Sequence, residues 1–195
     1  MSWHQLLADI RACQLCQKQL PFGARPVVQF HPDARILVAG QAPGRRVHAS
    51  GKPFDDPSGD RLRDWMAVDK ETFYNDRQLA IVPMGFCYPG TGKSGDLPPR
   101  KECADAWRAT ILSELPNLEL ILAIGQYAQN WHLSRLPERP EKTLTERVQN
   151  WQRYLDYGVL PLPHPSPRNN IWLRKNPWFE QQVVPTLKER IAQLL

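Results

Sequence analysis

The chain has 195 residues, 42% of them hydrophobic and 23% charged, the balance of an ordinary globular protein with one sizeable core. No apolar run approaches the length of a bilayer, so no membrane-spanning segment is read. The formal charge of +5 and a pI near 9.2 fit a polyanionic partner such as nucleic acid, and fit equally a plain solvated basic surface.

Residues 1–7 lack a basic stretch followed by a long apolar one, so no secretory signal is read and a cytoplasmic location is expected. Residues 2–12 form a short amphipathic helix, with Leu6, Leu7 and Ile10 at helical spacing. Residues 35–40 are a short apolar run ending at a Gly-rich turn, the pattern of a buried parallel strand. Residues 79–83 and 118–125 repeat that pattern, and residues 157–162 give a weaker fourth strand. Between them, Ser58 is positioned to cap a helix through Leu62 and Trp65. Pro99 starts another helix, running through Trp107 and Ile111 to Leu115. Residues 127–133 and 178–195 are helical, the last with a bend expected near Pro185.

No repeat or linker divides the chain, so residues 1–195 are expected to form a single domain. Strands alternating with helices imply an α/β fold: a three-layer αβα sandwich around a mostly parallel four-stranded sheet. Ligands of such folds bind beyond the carboxyl ends of the strands. Two loops meet that edge: Gly40-Gln41-Ala42-Pro43-Gly44, and the Pro-rich His164-Pro165-Ser166-Pro167-Arg168-Asn169.

All four cysteines fall into one set, a C-x-x-C pair (Cys13, Cys16) with Cys87 and Cys103 downstream. Four thiolates suit either a tetrahedral zinc ion or a 4Fe–4S cluster, and the spacing alone does not choose.

These segments together resemble the uracil-DNA glycosylase superfamily. The first loop is similar to the GEAPG motif of its family 4. Gly51-Lys52-Pro53-Phe54 resembles that family's G-R/K-P-F segment, and the four cysteines match its cluster ligands in order and spacing. The string His164 to Asn169 looks more like the single-strand-selective monofunctional branch. The resemblance implies a structural 4Fe–4S cluster on Cys13, Cys16, Cys87 and Cys103, with zinc the alternative. It implies a monofunctional glycosylase acting as a monomer on single- or double-stranded DNA, with no membrane partner.

Cleaving an N-glycosidic bond leaves negative charge on the base and positive character on the sugar, so donors aimed at the base stabilise the leaving group. His164 is the expected donor and Phe54 the stacking face. Gln41 and Ala42 offer backbone amides to the base or a water. Ser166, Arg168, Arg45 and Arg46 are expected on phosphate.

Two positions depart from the resemblance. Gln41 stands where an acid is usual, and an amide cannot act as a general base. Asp55, Asp56 and His48 are the candidate replacements. The family's uracil-reading Asn falls at Pro83, which has no donor to offer. Met84, Gly85 or Asn169 then read the base. No lysine stands in the motifs for a lyase step. An inactive nucleic-acid-binding relative and a zinc-stabilised nucleotide binder are the competing readings.

Overall fold

The computed structural model describes residues 2–195. Helix α1 (Trp3–Arg11) is capped by Ser2, whose hydroxyl accepts from the Gln5 amide at 3.3 Å. Strand β1 (Ile36–Ala39) leads through the first motif loop into α2 (Arg45–Ser50), α3 (Pro57–Met66), α4 (Lys70–Phe73) and β2 (Leu79–Ile81). A small antiparallel hairpin follows, β3 (Thr91–Gly92) with β4 (Gly95–Asp96). Then come α5 (Ala109–Ser113), β5 (Leu120–Ile124), α6 (Gly125–Leu133), α7 (Leu144–Gln149), α8 (Trp151–Leu155) and β6 (Val159–Leu162). Helices α9 (Asn170–Lys175) and α10 (Val184–Leu194) end the chain.

The main sheet has the order β2-β1-β5-β6, and every pairing between these four strands is parallel, with one isolated antiparallel bridge from Gln29 to Ile81 at the β2 edge. Its strands are continuous apolar runs because both faces are covered. Alternate side chains of β1 point to opposite layers. Ile36 and Val38 pack with Leu62 and Trp65 of α3 and Leu187 and Ile191 of α10. Leu37 and Ala39 pack with Leu6 and Ile10 of α1, Ile111 of α5 and Ala128 of α6. The result is a three-layer α/β sandwich, parallel throughout where the sequence suggested mostly parallel. None of the described helices is long and apolar enough to cross a membrane.

Three local expectations change. Asp56, not Ser58, caps α3: its Oδ1 accepts from the Gly59 amide at 2.8 Å, and Pro57 then takes the first helical position. Residues 99–101 precede the helix that continues into α5, which begins after Pro99 rather than at it. The bend near Pro185 is a wide π-turn over Phe179–Val183, which relieves the missing proline amide without ending the helix.

One buried cation shapes the end of β2. Arg108, 1% exposed, donates to the carbonyls of Pro83 (2.9 Å) and Val82 (3.0 Å) and lies 3.1 Å from His132 Nε2. Burial pulls the Arg108 pKa down to about 9. Burial, with Arg108 and Arg135 beside it, holds the His132 pKa well below the ordinary value, so its ring stays neutral. A folded pKa below the unfolded one gives stability that is full above about pH 6.5 and is lost as pH falls toward the folded value. Lowering pH from 7.5 to 5.5 is therefore expected to reduce the unfolding free energy obtained from urea titration by about 1 kcal/mol for each such histidine. His132→Gln should flatten that dependence, and an unchanged pH slope in the variant would contradict it.

Candidate active site

The strand order turns back at β1: β2 lies on one side of it and β5 on the other. A crevice opens at the carboxyl end of such a switch point. There the protein has a cavity of about 370 Å³. It is reached by the first motif loop after β1, by Ile81 and Pro83 at the end of β2, and by the His164 loop after β6.

The first loop is braced from below. The Met84 amide donates to the Gly40 carbonyl (2.9 Å) and the Gly85 amide to the Gln41 carbonyl (2.8 Å). Phe54 forms one wall. A Cβ on Gly40 would lie 3.0 Å from Phe54 Cζ, so glycine lets the ring approach the loop backbone. Phe54 has φ +55, a costly conformation for an aromatic residue. Two neighbours hold it there. Arg63, 5% exposed, donates to the Phe54 carbonyl at 3.2 Å, and the same carbonyl would lie 1.7 Å from a Cβ on Gly59. Gly59→Ala is expected to cost about 3 kcal/mol in chemical denaturation, because the obstructing atom is backbone that cannot swing aside. A loss under about 1 kcal/mol would show that the Phe54 turn relaxes freely.

His164 is half-buried, and its surroundings fix its tautomer. The Ser166 amide donates to His164 Nδ1 at 3.2 Å, so in the neutral ring the proton sits on Nε2. The Asn169 side-chain amide donates to the His164 carbonyl at 2.7 Å and locks the loop. Burial holds the His164 pKa below the usual histidine value, against the opposing pull of the Asp56 and Asp96 carboxylates. The ring is thus a neutral Nε2–H donor at neutral pH. Asp56 and Asp96 are the carboxylates that line the cavity among the described residues.

The structure gathers many of the expected residues and sets others apart. Gln41, Ala42, Phe54, Asp56, His164, Ser166, Arg168 and Asn169 all line the cavity. Met84 and Gly85 do not: their amides are spent on the first loop, so they brace it rather than face a base. Asp55 also lies outside the lining. His48 sits on α2 with its ring 6.1 Å from Phe22 and 6.0 Å from Tyr88, away from the cavity lining. Arg45 and Arg46 start α2, and the Arg45 guanidinium lies 5.8 Å from the Phe22 ring centroid. Both stand outside the cavity, where only the surrounding surface can use them.

A second cavity is lined by Cys13, Cys16, Cys87 and Cys103 together. It joins the end of α1 to the segment after β2. The Phe86 amide donates to Cys103 Sγ at 3.4 Å, the Arg25 amide to Cys87, and the Arg100 side chain to Cys16. Burial pushes the free thiols up, Cys87 to about 11 and Cys103 to about 12. A thiolate in either place therefore needs positive charge beside it. Among the described residues, no three His, Cys, Asp or Glu side chains converge closely enough to hold a single metal ion. The four cysteines share the lining of this cavity with Leu20, Phe86 and Arg100.

The family model of the uracil DNA glycosylase superfamily matches residues 27–188. The chain belongs to the uracil DNA glycosylase superfamily. The match takes in both motif loops, Phe54 and Pro83, and it includes Cys87 and Cys103 while leaving Cys13 and Cys16 outside. Gln41 and Pro83 line the cavity, and so does a wall that the strand pattern did not announce. Ser94, Asp96 and Leu97 of the β3–β4 hairpin line the cavity beside the His164 loop. Arg168 Nη1 donates to the Ser94 carbonyl at 3.1 Å and ties the two together. The Gly92-Lys93-Ser94-Gly95 sequence is the turn signal that marks this hairpin.

Proposed function

We propose that the protein is a monofunctional DNA glycosylase that extrudes a deaminated or damaged base and hydrolyses its N-glycosidic bond. The observation that carries this reading is His164: a neutral imidazole with Nε2–H free to donate, half-buried at a cavity whose wall is Phe54. An extruded base stacks on Phe54 and receives the Nε2–H on a carbonyl oxygen. As the bond breaks, its electron pair goes to the base, and that hydrogen bond strengthens as charge develops. A water oxygen then bonds to the sugar carbon C1′. Its proton passes to the Asp56 carboxylate and the base leaves after taking a proton from solvent. Gln41 orients the water and does not deprotonate it.

The cavity suits uncharged bases in general rather than uracil alone. Pro83 stands at the reader's position and offers no hydrogen bond, so the floor there is apolar with Val27 and Ile81. Uracil is one substrate of this class, alongside other deaminated bases. Ser166 and Arg168 at the rim meet the backbone phosphates of the strand, single or double.

The four cysteines fit a 4Fe–4S cluster of structural role. Their thiols line one small cavity, and amide and guanidinium donors already face three of the sulfurs. Zinc on the same four thiols is the alternative. The cluster supplies cross-linking of chain segments and no step of the hydrolysis.

The test is a panel of oligonucleotides carrying uracil, hypoxanthine, xanthine or an alkylated base, in single and double strands, scored for abasic sites. At least one substrate is expected to yield them. Salt-sensitive DNA binding with no product on any strand would support the inactive, DNA-binding alternative, for which the changes at Gln41 and Pro83 argue.

A further inference from the structure

We propose that Asp96, delivered by the β3–β4 hairpin, is a catalytic residue that stabilises positive charge on the sugar of the extruded nucleotide. The inference rests on the glycosylase reading and adds to it a group that neither motif loop contains. Asp96 lines the same cavity as His164, and its carboxylate bears electrostatically on that ring. A Cβ placed on Gly44 would lie 3.5 Å from Asp96 Oδ2. The carboxylate therefore rests against the loop that lacks its own acid at Gln41.

The carboxylate is held, not free. The Thr91 hydroxyl donates to Asp96 Oδ1 at 3.2 Å across the hairpin, and the same hydroxyl is hydrogen-bonded to Tyr88, which is 1% exposed. The Leu97 amide closes the hairpin on the Gly90 carbonyl at 2.8 Å. The hairpin is docked in turn on the His164 loop. Beside the Ser94 contact, a Cβ on Gly95 (φ +125) would lie 1.8 Å from Arg168 Nη1, so glycine is what lets the guanidinium cross there.

Depth assigns the role. The apolar floor and Phe54 take the base, so the exposed groups at the mouth meet the sugar and its phosphates. Of these, Arg168 suits phosphate. Asp96 repels it, and a carboxylate at the mouth of a DNA site weakens binding. The charge it does favour is the one that appears on the sugar only as the bond breaks. Asp96 forms no bond and exchanges no proton in this role, and Asp56, already accepting the Gly59 amide, remains the group beside the water.

The experiment is Asp96→Asn in the full chain, a change of charge that keeps an acceptor for Thr91. Single-turnover base release is measured on whichever base the wild type excises. Affinity is measured for the same strand carrying a non-hydrolysable nucleotide. Release is expected to slow about 100-fold while binding stays equal or tightens. Release within about threefold of wild type, or rate and affinity falling together as for a displaced hairpin, would overturn the inference. A wild-type chain that frees no base from any strand overturns the glycosylase reading and this assignment with it. An active wild type with an equally active Asp96→Asn overturns the assignment alone.

Discussion

His164→Ala is expected to slow base release under single-turnover conditions by about 10²- to 10³-fold, with DNA affinity held within a few-fold. The ring is the donor whose proton position is set in advance: Ser166 occupies Nδ1, burial keeps the ring neutral, and Nε2–H is left for the base. A donor oriented before the reaction costs no rearrangement as charge develops, which is why a single such group is worth several kcal/mol of barrier. Affinity should be spared because the proposed phosphate contacts, Ser166 and Arg168, remain. The control is Lys188→Ala, an exposed position on α10, which should match wild type. Equal rates in His164→Ala and wild type would remove the imidazole from the chemistry.

Cys103→Ser is expected to cost about 4 kcal/mol or more of stability and to lower bound iron and sulfide in step. Cys103 is 7% exposed, packs in the same apolar layer as Phe86 and Ile111, and accepts the Phe86 amide. Without a cluster its thiol is a buried group pushed to about 12, and the end of α1 loses its tie to the segment after β2. That segment leads directly into the hairpin carrying Asp96. The variant should therefore unfold at lower temperature and, where it folds, lose activity through hairpin placement. Purified wild type with stoichiometric zinc and no iron would refute the cluster, and a chelated protein with unchanged Tm would refute its structural role.

The sheet was legible because its signal is strong and local. Residues 35–40, 79–83, 118–125 and 157–162 are apolar runs closed by Gly or Pro, and the structure places strands within each. The placing of His164 and Phe54 at the cavity was legible for another reason: each sits in a short loop beside proline, which restricts the backbone. The hairpin left only its turn signal, Gly92 to Gly95. Its strands are two residues long and polar, too short for alternation, and Asp96 reaches the cavity only once the chain folds back on Arg168. The placing of His48, Met84 and Gly85 failed on direction. Sequence puts them near the loops, but His48 turns out on α2, and the amides of residues 84 and 85 are consumed as braces. Asp55 and Asp56 are adjacent and chemically alike. Only the cap on Gly59 decides that Asp56 is the one held at the cavity.

The most direct test of the account is mass-spectrometric detection of free base from the modified strands after incubation with the purified chain. The expected products are an intact free base and an unbroken abasic strand, both formed about 10²- to 10³-fold more slowly with His164→Ala. Tight, salt-sensitive binding to every strand, with no free base from any of them, would contradict the account.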